Sequence, residues 1–457
     1  MCHKLDYVVK TNNVEHMINQ DAVLVEPFRV NPINDLYNDP VVTFKIHLLY
    51  PSVAIAYNLC YSTLVGKIRR RTIKKKTIVT CKGLSELMSS VKFKDELKNK
   101  VMVSPNSVVF VKPSIREGVI PILLKQLLAN LNLISKKMSE SGEESKVLKI
   151  AYEELERTAN AVYKYAGTSI KSRMGLPELA DSIAEFANKH IRIFINTIQT
   201  KYNAKLISGD INTLVINFPG RTVEDAYNIA KNIINEESTL KLSLENIMCP
   251  YFLISKGCFV GIKNGSEFIH KGLDNTCPYI NKVLIKMLKV ILEVKDFSVV
   301  KQLVVNKMLK LMDNRVNIPK LIIRRANKFS ESSDTEFTKL IHVPRLKRPE
   351  DCIQYVVLEG NAIKDIVVTP VEALSENKRY NVTYYLYKQL IPSLNTILRV
   401  FGVKVEKWVP SKEELLKKEL KAEVQCKYCN TASESGCMNI YCPTYRKLTR
   451  KKMNNIN

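Results

Sequence analysis

Four cysteines near the end of the chain have the types and spacing of a metal site: Cys426, Cys429, Cys437 and Cys442, in a C-x2-C-x7-C-x4-C array. Two thiolates across a CxxC turn can meet one ion, and four close a compact tetrahedral site for which zinc is the default. The chain has 11 cysteines in all. The other seven are scattered, as small buried hydrophobes in a reducing compartment usually are, and a disulfide framework is not expected. A second group of residues could bind phosphate. Lysines and arginines cluster in the runs Lys67–Lys76, Lys320–Arg325 and Arg345–Arg348, the last including Arg345, Lys347 and Arg348. With 70 Lys+Arg against 45 Asp+Glu, the formal charge is +25 over 457 residues. Such a surplus favours a polyanion, with nucleic acid the commonest inside cells, although a solvated lysine-rich face reads the same way.

These residues need elements to hold them. At 46% apolar, the chain can bury sizeable cores, and its length suggests about three domains. No run of about 18 apolar residues appears and the start lacks a signal-peptide pattern, so an intracellular chain without a membrane partner is expected. Residues 42–47 predict a strand. In 119–138, Ile120, Leu123, Leu124, Leu127, Leu128, Leu131 and Ile134 recur at helical spacing, and a second helix runs over about 145–166. The pair predicts a helical hairpin projecting from a sheet. A third helix starts near Pro177, a residue suited to a first turn. Residues 204–218 predict a β-hairpin joined at Gly209-Asp210, and 251–263 a further strand pair. After Gly272 the pattern is mostly helical, at 280–294, 298–313 and 381–402.

Five segments in order carry a resemblance. They are Asp39-Pro40-Val41-Val42 through Leu49-Tyr50-Pro51-Ser52 to Asn58–Leu64; Arg116-Glu117-Gly118; Thr158-Ala159-Asn160-Ala161-Val162-Tyr163 with Leu176-Pro177 following; Ser208-Gly209-Asp210-Ile211-Asn212; and the cysteine tail with Pro443–Arg446. Together they resemble the C-terminal half of family B DNA polymerases, most like the delta/zeta branch and its viral relatives. The resemblance covers roughly residues 24–450. It implies an α+β polymerase hand with a palm, helical fingers and a helical thumb, plus a small C-terminal metal module built on the four cysteines. The implied divisions are a lead-in at 1–40, palm at 41–115, fingers at 116–168, palm again at 169–272, thumb at 273–410, and a linker with the tail at 411–457. In the delta/zeta branch this tail is linked with an iron–sulfur cluster, so zinc and iron–sulfur both stay open, and it docks an accessory subunit. Too few residues precede the first motif for the family's exonuclease, so proofreading is not expected.

The departures from the family pattern bear on activity. Nucleotidyl transfer needs two divalent cations, normally Mg²⁺, bridged by palm carboxylates. Of three carboxylate positions, one keeps its acid: Asp210 remains, while Lys45 and Asn212 occupy the others. A pairing of Lys45 with Asp210 is expected to fill the vacated site. Tyr50, Asn160 and Tyr163 match the nucleotide-binding pattern, yet Leu131 and Glu156 stand where the resemblance places an Arg and a Lys for the triphosphate. A hydrophobe and an acid are therefore expected to face that place. The DNA-contacting strand keeps Lys256 but has Phe259 for a tyrosine, and Lys271 is not followed by the expected double arginine. The expectation is a polymerase-like protein that is catalytically inactive and binds DNA or replication partners, such as an active polymerase or an accessory subunit. It would reside in the nucleus or a viral replication compartment. The alternatives are an active DNA-directed DNA polymerase and a protein scaffold that does not touch DNA.

Overall fold

A computed structural model describes residues 25–73, 76–82, 99–140, 146–167, 175–237, 239–273, 276–326, 352–360, 367–375 and 379–410. The chain divides into two compact units, residues 1–269 and 270–457.

In the first unit, strands β1 (Arg29–Val30), β2 (Leu36–Tyr37) and β3 (Val41–His47) lead into the short helix α1 (Leu49–Ala56). The corner between β3 and α1 is a single residue, Leu48, at φ 52° and ψ 35°. A branched side chain in the left-handed region costs roughly 1–2 kcal/mol, and here it fixes the step from the β3 face to Tyr50. Pro51 sits in the first turn of α1, where a missing N–H breaks no helical bond. A four-stranded sheet follows, built from β4 (Leu64–Ile73), β5 (Lys76–Lys82), β6 (Val101–Val103) and β7 (Val108–Val111) in the order β5-β4-β7-β6.

Helices α2 (Val119–Glu140) and α3 (Lys146–Gly167) then pack together as the helical hairpin that the periodicity predicts. Of the described helices, Val119–Ser139 is long and apolar enough to cross a membrane by length and composition. It packs on α3 and buries Leu124 and Leu131 in the main core. Helix α4 (Pro177–Tyr202) starts on its proline as expected.

Beyond it come β8 (Lys205–Asp210), β9 (Thr213–Asn217), α5 (Val223–Glu236), β10 (Lys241–Ser255), β11 (Cys258–Lys263) and β12 (Glu267–Lys271). Helix α5 opens on a capping box between Thr222 and Asp225, and those hydrogen bonds hold the Asp225 carboxyl below the usual carboxylate range. The large sheet runs β1-β8-β9-β3-β10-β11-β12, with β2 pairing on β10. Its centre is β3, whose Val42, Phe44 and Ile46 point into the main core, with Phe44 edge-on to Phe194 of α4 at 6.4 Å. On the opposite face a smaller cluster joins Val41, Ile207, Met248, Tyr251 and Leu253. The sequence reading of 251–263 missed most of β10 and all of β12, because 241–250 does not alternate cleanly.

The second unit is not wholly helical, which corrects the expectation of a helical thumb. Helices α6 (Pro278–Glu293) and α7 (Phe297–Met312) are followed by a three-stranded antiparallel sheet of β13 (Ile323–Ala326), β14 (Cys352–Val357) and β15 (Val367–Val368). Then come α8 (Pro370–Ser375), a π-helical turn at Tyr384–Leu390, and α9 (Ile391–Leu398). The strands are short and separated by long intervals in sequence, so no local period announces them. Two buried phenols tie the layers together. Tyr380 donates to Leu311 O at 2.9 Å, and Tyr385 donates to Leu321 O at 3.0 Å while accepting from Val357 N at 3.1 Å. Tyr385→Phe keeps the ring and strands both backbone groups, so a loss of about 1–3 kcal/mol is expected in urea melts. Full stability in that variant would mean that other groups satisfy them.

Candidate functional site

The hairpin that carries Asp210 turns two residues later than its sequence suggests. Gly209 stays in β8 opposite Leu214, where a Cβ would come within 2.8 Å of Leu214 Cδ2. The turn is Ile211-Asn212, closed by the Asp210 carboxylate, which accepts from Asn212 N at 2.9 Å and Thr213 N at 3.0 Å. Lys45 lies on β3 between Thr213 on β9 and Ser243 on β10, and Ile46 N donates to Asn212 O at 2.7 Å. The end of β3 that carries Lys45 therefore lies beside the β8–β9 turn that holds Asn212 and follows Asp210.

The expected ion pair between Lys45 and Asp210 does not form; no contact within 4.0 Å joins them. Asp210 folds back onto its own turn, and Lys45 is exposed on the strand face away from the main core. Among the described residues, no group of three or more His, Cys, Asp or Glu side chains could hold a metal ion. One carboxylate already engaged by two amides does not fit a pair of Mg²⁺ ions, which take oxygen ligands and shared negative charge.

The helical hairpin contributes a second group of residues. Glu156, Asn160 and Tyr163 lie four and three residues apart on α3, which puts them on one face. That face meets α1 and the end of β3. The Tyr163 ring lies against Tyr50 at 4.1 Å between centroids, tilted by 31°. Burial pushes both phenols above their ordinary range, and the nearby Tyr163 phenol adds to the shift at Tyr50. Tyr50 Oη is buried beside the Tyr163 phenol. Asn160 is half-buried between Glu156 and Tyr163.

Glu156 meets His47: Oε1 lies 3.6 Å from His47 Nδ1, while His47 Nε2 is 2.7 Å from Ser243 Oγ. An acid, an imidazole and a hydroxyl from α3, β3 and β10 thus stand in line. The Glu156–His47 attraction is ionic only when the imidazole is protonated. Leu131 departs from expectation. It does not face an open site but is 2% exposed within the main core.

Sequence reasoning missed His47 and Ser243. Period-two alternation already places His47 on the same strand face as Lys45. Nothing local points to Ser243, because the β3–β10 register is a tertiary pairing.

On the DNA-facing side of the resemblance, Lys256 is exposed in the β10–β11 turn beside Gly257, whose φ is +75°. Phe259 is half-buried and packs on Tyr251 at 5.4 Å, and Lys271 is exposed at the end of β12. The basic run from Lys67 enters the β4–β5 ribbon, and Lys320 and Arg324 are exposed in the second unit. Arg345, Lys347, Arg348 and the four cysteines Cys426, Cys429, Cys437 and Cys442 lie outside the described residues.

The model of DNA polymerase family B matches residues 19–401, most of the chain. The chain belongs to DNA polymerase family B. Among curated relatives, the DNA polymerase zeta catalytic subunit of Schizosaccharomyces pombe is 28% identical over 88% of this chain and 29% of its own length. That of Homo sapiens is 27% identical over 88% of this chain and 14% of its own. The DNA polymerase delta catalytic subunit of Candida albicans is 24% identical, covering 93% of this chain and 43% of that protein. This family B chain thus spans less than half the length of these relatives. The family B DNA polymerase from the archaeon Pyrobaculum calidifontis superposes with a TM-score of 0.57 at 18% identity, covering 88% of this chain and 50% of that one. That likeness is of fold, and it places the mixed α/β architecture among family B polymerases.

Proposed function

We propose that the chain is a polymerase-like module that binds DNA or a replication partner and forms no phosphodiester bonds. The observation that supports this most is the donor set at the central sheet edge. Asp210 is the one acid among positions 45, 210 and 212, its carboxylate closes its own turn, and Lys45 lies on the strand end beside that turn. In-line transfer asks that edge to hold two divalent cations. Glu156 strengthens the reading, since it adds negative charge where a triphosphate would dock, and its carboxylate turns toward His47. The partner in this reading is an active polymerase or an accessory replication subunit, in the nucleus or a viral replication compartment. The Cys426, Cys429, Cys437 and Cys442 tail is proposed to hold zinc or an iron–sulfur cluster. Metal analysis with a visible spectrum separates the two, and a purified full chain with neither metal would sink the tail assignment.

Primer extension on the full chain tests the central claim. No incorporation above background is expected with Mg²⁺ or Mn²⁺; measurable nucleotide addition would overturn the reading in favour of an active DNA polymerase. A companion variant carries Lys45→Asp and Asn212→Asp. It lowers the local charge by three units and sets carboxylates on β3 and in the β8–β9 turn beside Asp210. Saturable Mn²⁺ binding is expected in that variant and none at this edge in the parent chain, read by the electron paramagnetic resonance of free Mn²⁺.

A further inference from the structure

Opposite residues on paired antiparallel strands turn their side chains to the same face, and diagonal neighbours stay within reach of ring and long side chains. In the β3–β10 pair, Lys45 stands opposite Ser243 and His47 opposite Lys241. His47 and Ser243 are therefore diagonal neighbours, and the imidazole crosses that diagonal to bring Nε2 within 2.7 Å of Ser243 Oγ. The other ring nitrogen, Nδ1, is buried with no hydrogen bond and faces Glu156 Oε1 of α3 at 3.6 Å. A carboxylate on that side favours the tautomer with its hydrogen on Nδ1, which leaves the Nε2 lone pair to accept from the Ser243 hydroxyl. His47, Ser243 and Glu156 are half-buried, while Lys45 and Lys241 are exposed on the same face.

A hydroxyl is a weak nucleophile until a positioned base takes its proton. The order hydroxyl, imidazole, carboxylate is the one that acyl transfer uses on unrelated folds, where geometry and not chain position identifies it. Its contacts are commonly loose before substrate binds and tighten afterwards. A histidine that only braced α3 against the sheet would need no cation beside its hydroxyl partner. Lys45 supplies one. Its Cβ lies about 4.5–5.5 Å from that of Ser243, so its ammonium can reach an oxygen that gains charge when a carbonyl carbon bonds to Oγ. Lys241 stands two residues along β10, about 7 Å from Ser243, and suits an anionic group elsewhere on the same substrate.

We propose that Ser243, His47, Glu156 and Lys45 form an acyl-transfer site that hydrolyses small carboxylic esters carrying a negative charge. The site goes beyond the DNA-binding reading and does not depend on it. Ser243 Oγ bonds to the acyl carbon, its proton passes to His47 Nε2, and the carbonyl electron pair moves to the oxygen beside Lys45. Return of that pair breaks the bond to the leaving alcohol oxygen, which takes the proton from Nε2. Water then attacks the acyl-serine in the same way. Its proton goes to Nε2 and on to Oγ, and the carboxylic acid departs. Ser243, His47 and Lys45 touch the reacting atoms, whereas Glu156 is a positioning residue that holds the ring.

The test treats the full chain with a fluorophosphonate probe and locates the labelled serine by peptide mass spectrometry. Labelling at Ser243 is expected. It should fall to background in Ser243→Ala and by about 100-fold or more in His47→Gln. Hydrolysis of the 4-nitrophenyl monoester of adipic acid should exceed that of neutral 4-nitrophenyl butyrate, and Lys241→Gln should erase the difference through KM. Glu156→Gln should lower kcat and leave KM unchanged, a split that lost packing alone would not give. Labelling of the parent chain decides without any variant: a folded parent that leaves Ser243 unlabelled overturns the site. Ester hydrolysis that persists in a folded Ser243→Ala chain also overturns it, since another group then does the chemistry. Ser243 labelling that is unchanged in His47→Gln removes the base, and the proposal with it.

Discussion

Leu131→Arg is expected to destabilise the first unit by roughly 3–5 kcal/mol, the cost of an uncompensated charge in a packed interior. Leu131 is 2% exposed and shares the core with Ile120 and Leu124 on the same side of α2, with Leu127 and Leu128 packed against it. The guanidinium would have to displace apolar neighbours or carry its charge into them. The substitution matters beyond stability, because it introduces the residue that the resemblance places at this position for triphosphate binding. With Leu131 built into the core, a single exchange here would not recreate a phosphate contact. Leu131→Met should cost less than about 1.5 kcal/mol, since volume and polarity are kept. The check is urea denaturation, with hydrogen exchange over 119–140 to localise the loss. An Arg variant within about 1 kcal/mol of the parent would mean that the side chain escapes to solvent and that α2 can still present a cation.

A comparable loss, roughly 3–5 kcal/mol, is expected for Asn58→Ala, from about 1–3 kcal/mol for each buried group left unsatisfied. Asn58 follows the end of α1, is 1% exposed and holds three backbone groups. Its amide donates to Val111 O at 2.8 Å and Arg116 O at 2.9 Å, and its carbonyl accepts from Gly118 N at 2.8 Å. The residue also adopts φ 52°, which Asn tolerates better than Ala. This one side chain fastens the end of β7 and the start of α2 to the segment after α1. The joint leaves no slack, since a Cβ on Gly118 would lie 2.6 Å from Cys60 Cβ. Asn58→Asp should be about as damaging, because a carboxylate would face the Val111 and Arg116 carbonyls. Urea melts of both variants decide the matter. A mild Asp variant beside a severe Ala variant would show that the contact to Gly118 N carries the effect and the two carbonyls do not.

The strand β3, the α2–α3 pair, the Pro177 helix and the β8–β9 hairpin were legible because each has a local signal. Those signals are β-branched alternation, a 3.6-residue apolar period, a first-turn proline and a glycine-containing turn. The turn position was read two residues early, because Gly209 looks like a turn residue in sequence. Its real constraint is space against Leu214. The strands β13 to β15 were missed for a different reason. They are 4, 6 and 2 residues long, too short for a two-residue alternation to stand out. That the resemblance sets Lys45 and Asn212 at metal positions and Glu156 at a triphosphate position came from counting from fixed motif residues.

What those exchanged residues do was decided by the tertiary structure. The sequence predicts a positive charge beside Asp210 and hence an ion pair. The fold instead turns the Asp210 carboxylate onto Asn212 and Thr213 and leaves Lys45 exposed on its strand. Glu156 finds His47, and His47 finds Ser243, through contacts among three elements whose spacing along the chain runs to 196 residues. The physical reason is one of range. Residue type, helical period and capping act over a few positions and are written in the local sequence. The partner of a charged side chain depends on which strand lies beside which and on which face is turned to solvent. By itself the sequence carried the family B resemblance, the side-chain types at 45, 210 and 212, and a large positive charge. Only the packed structure decided where the remaining charges point.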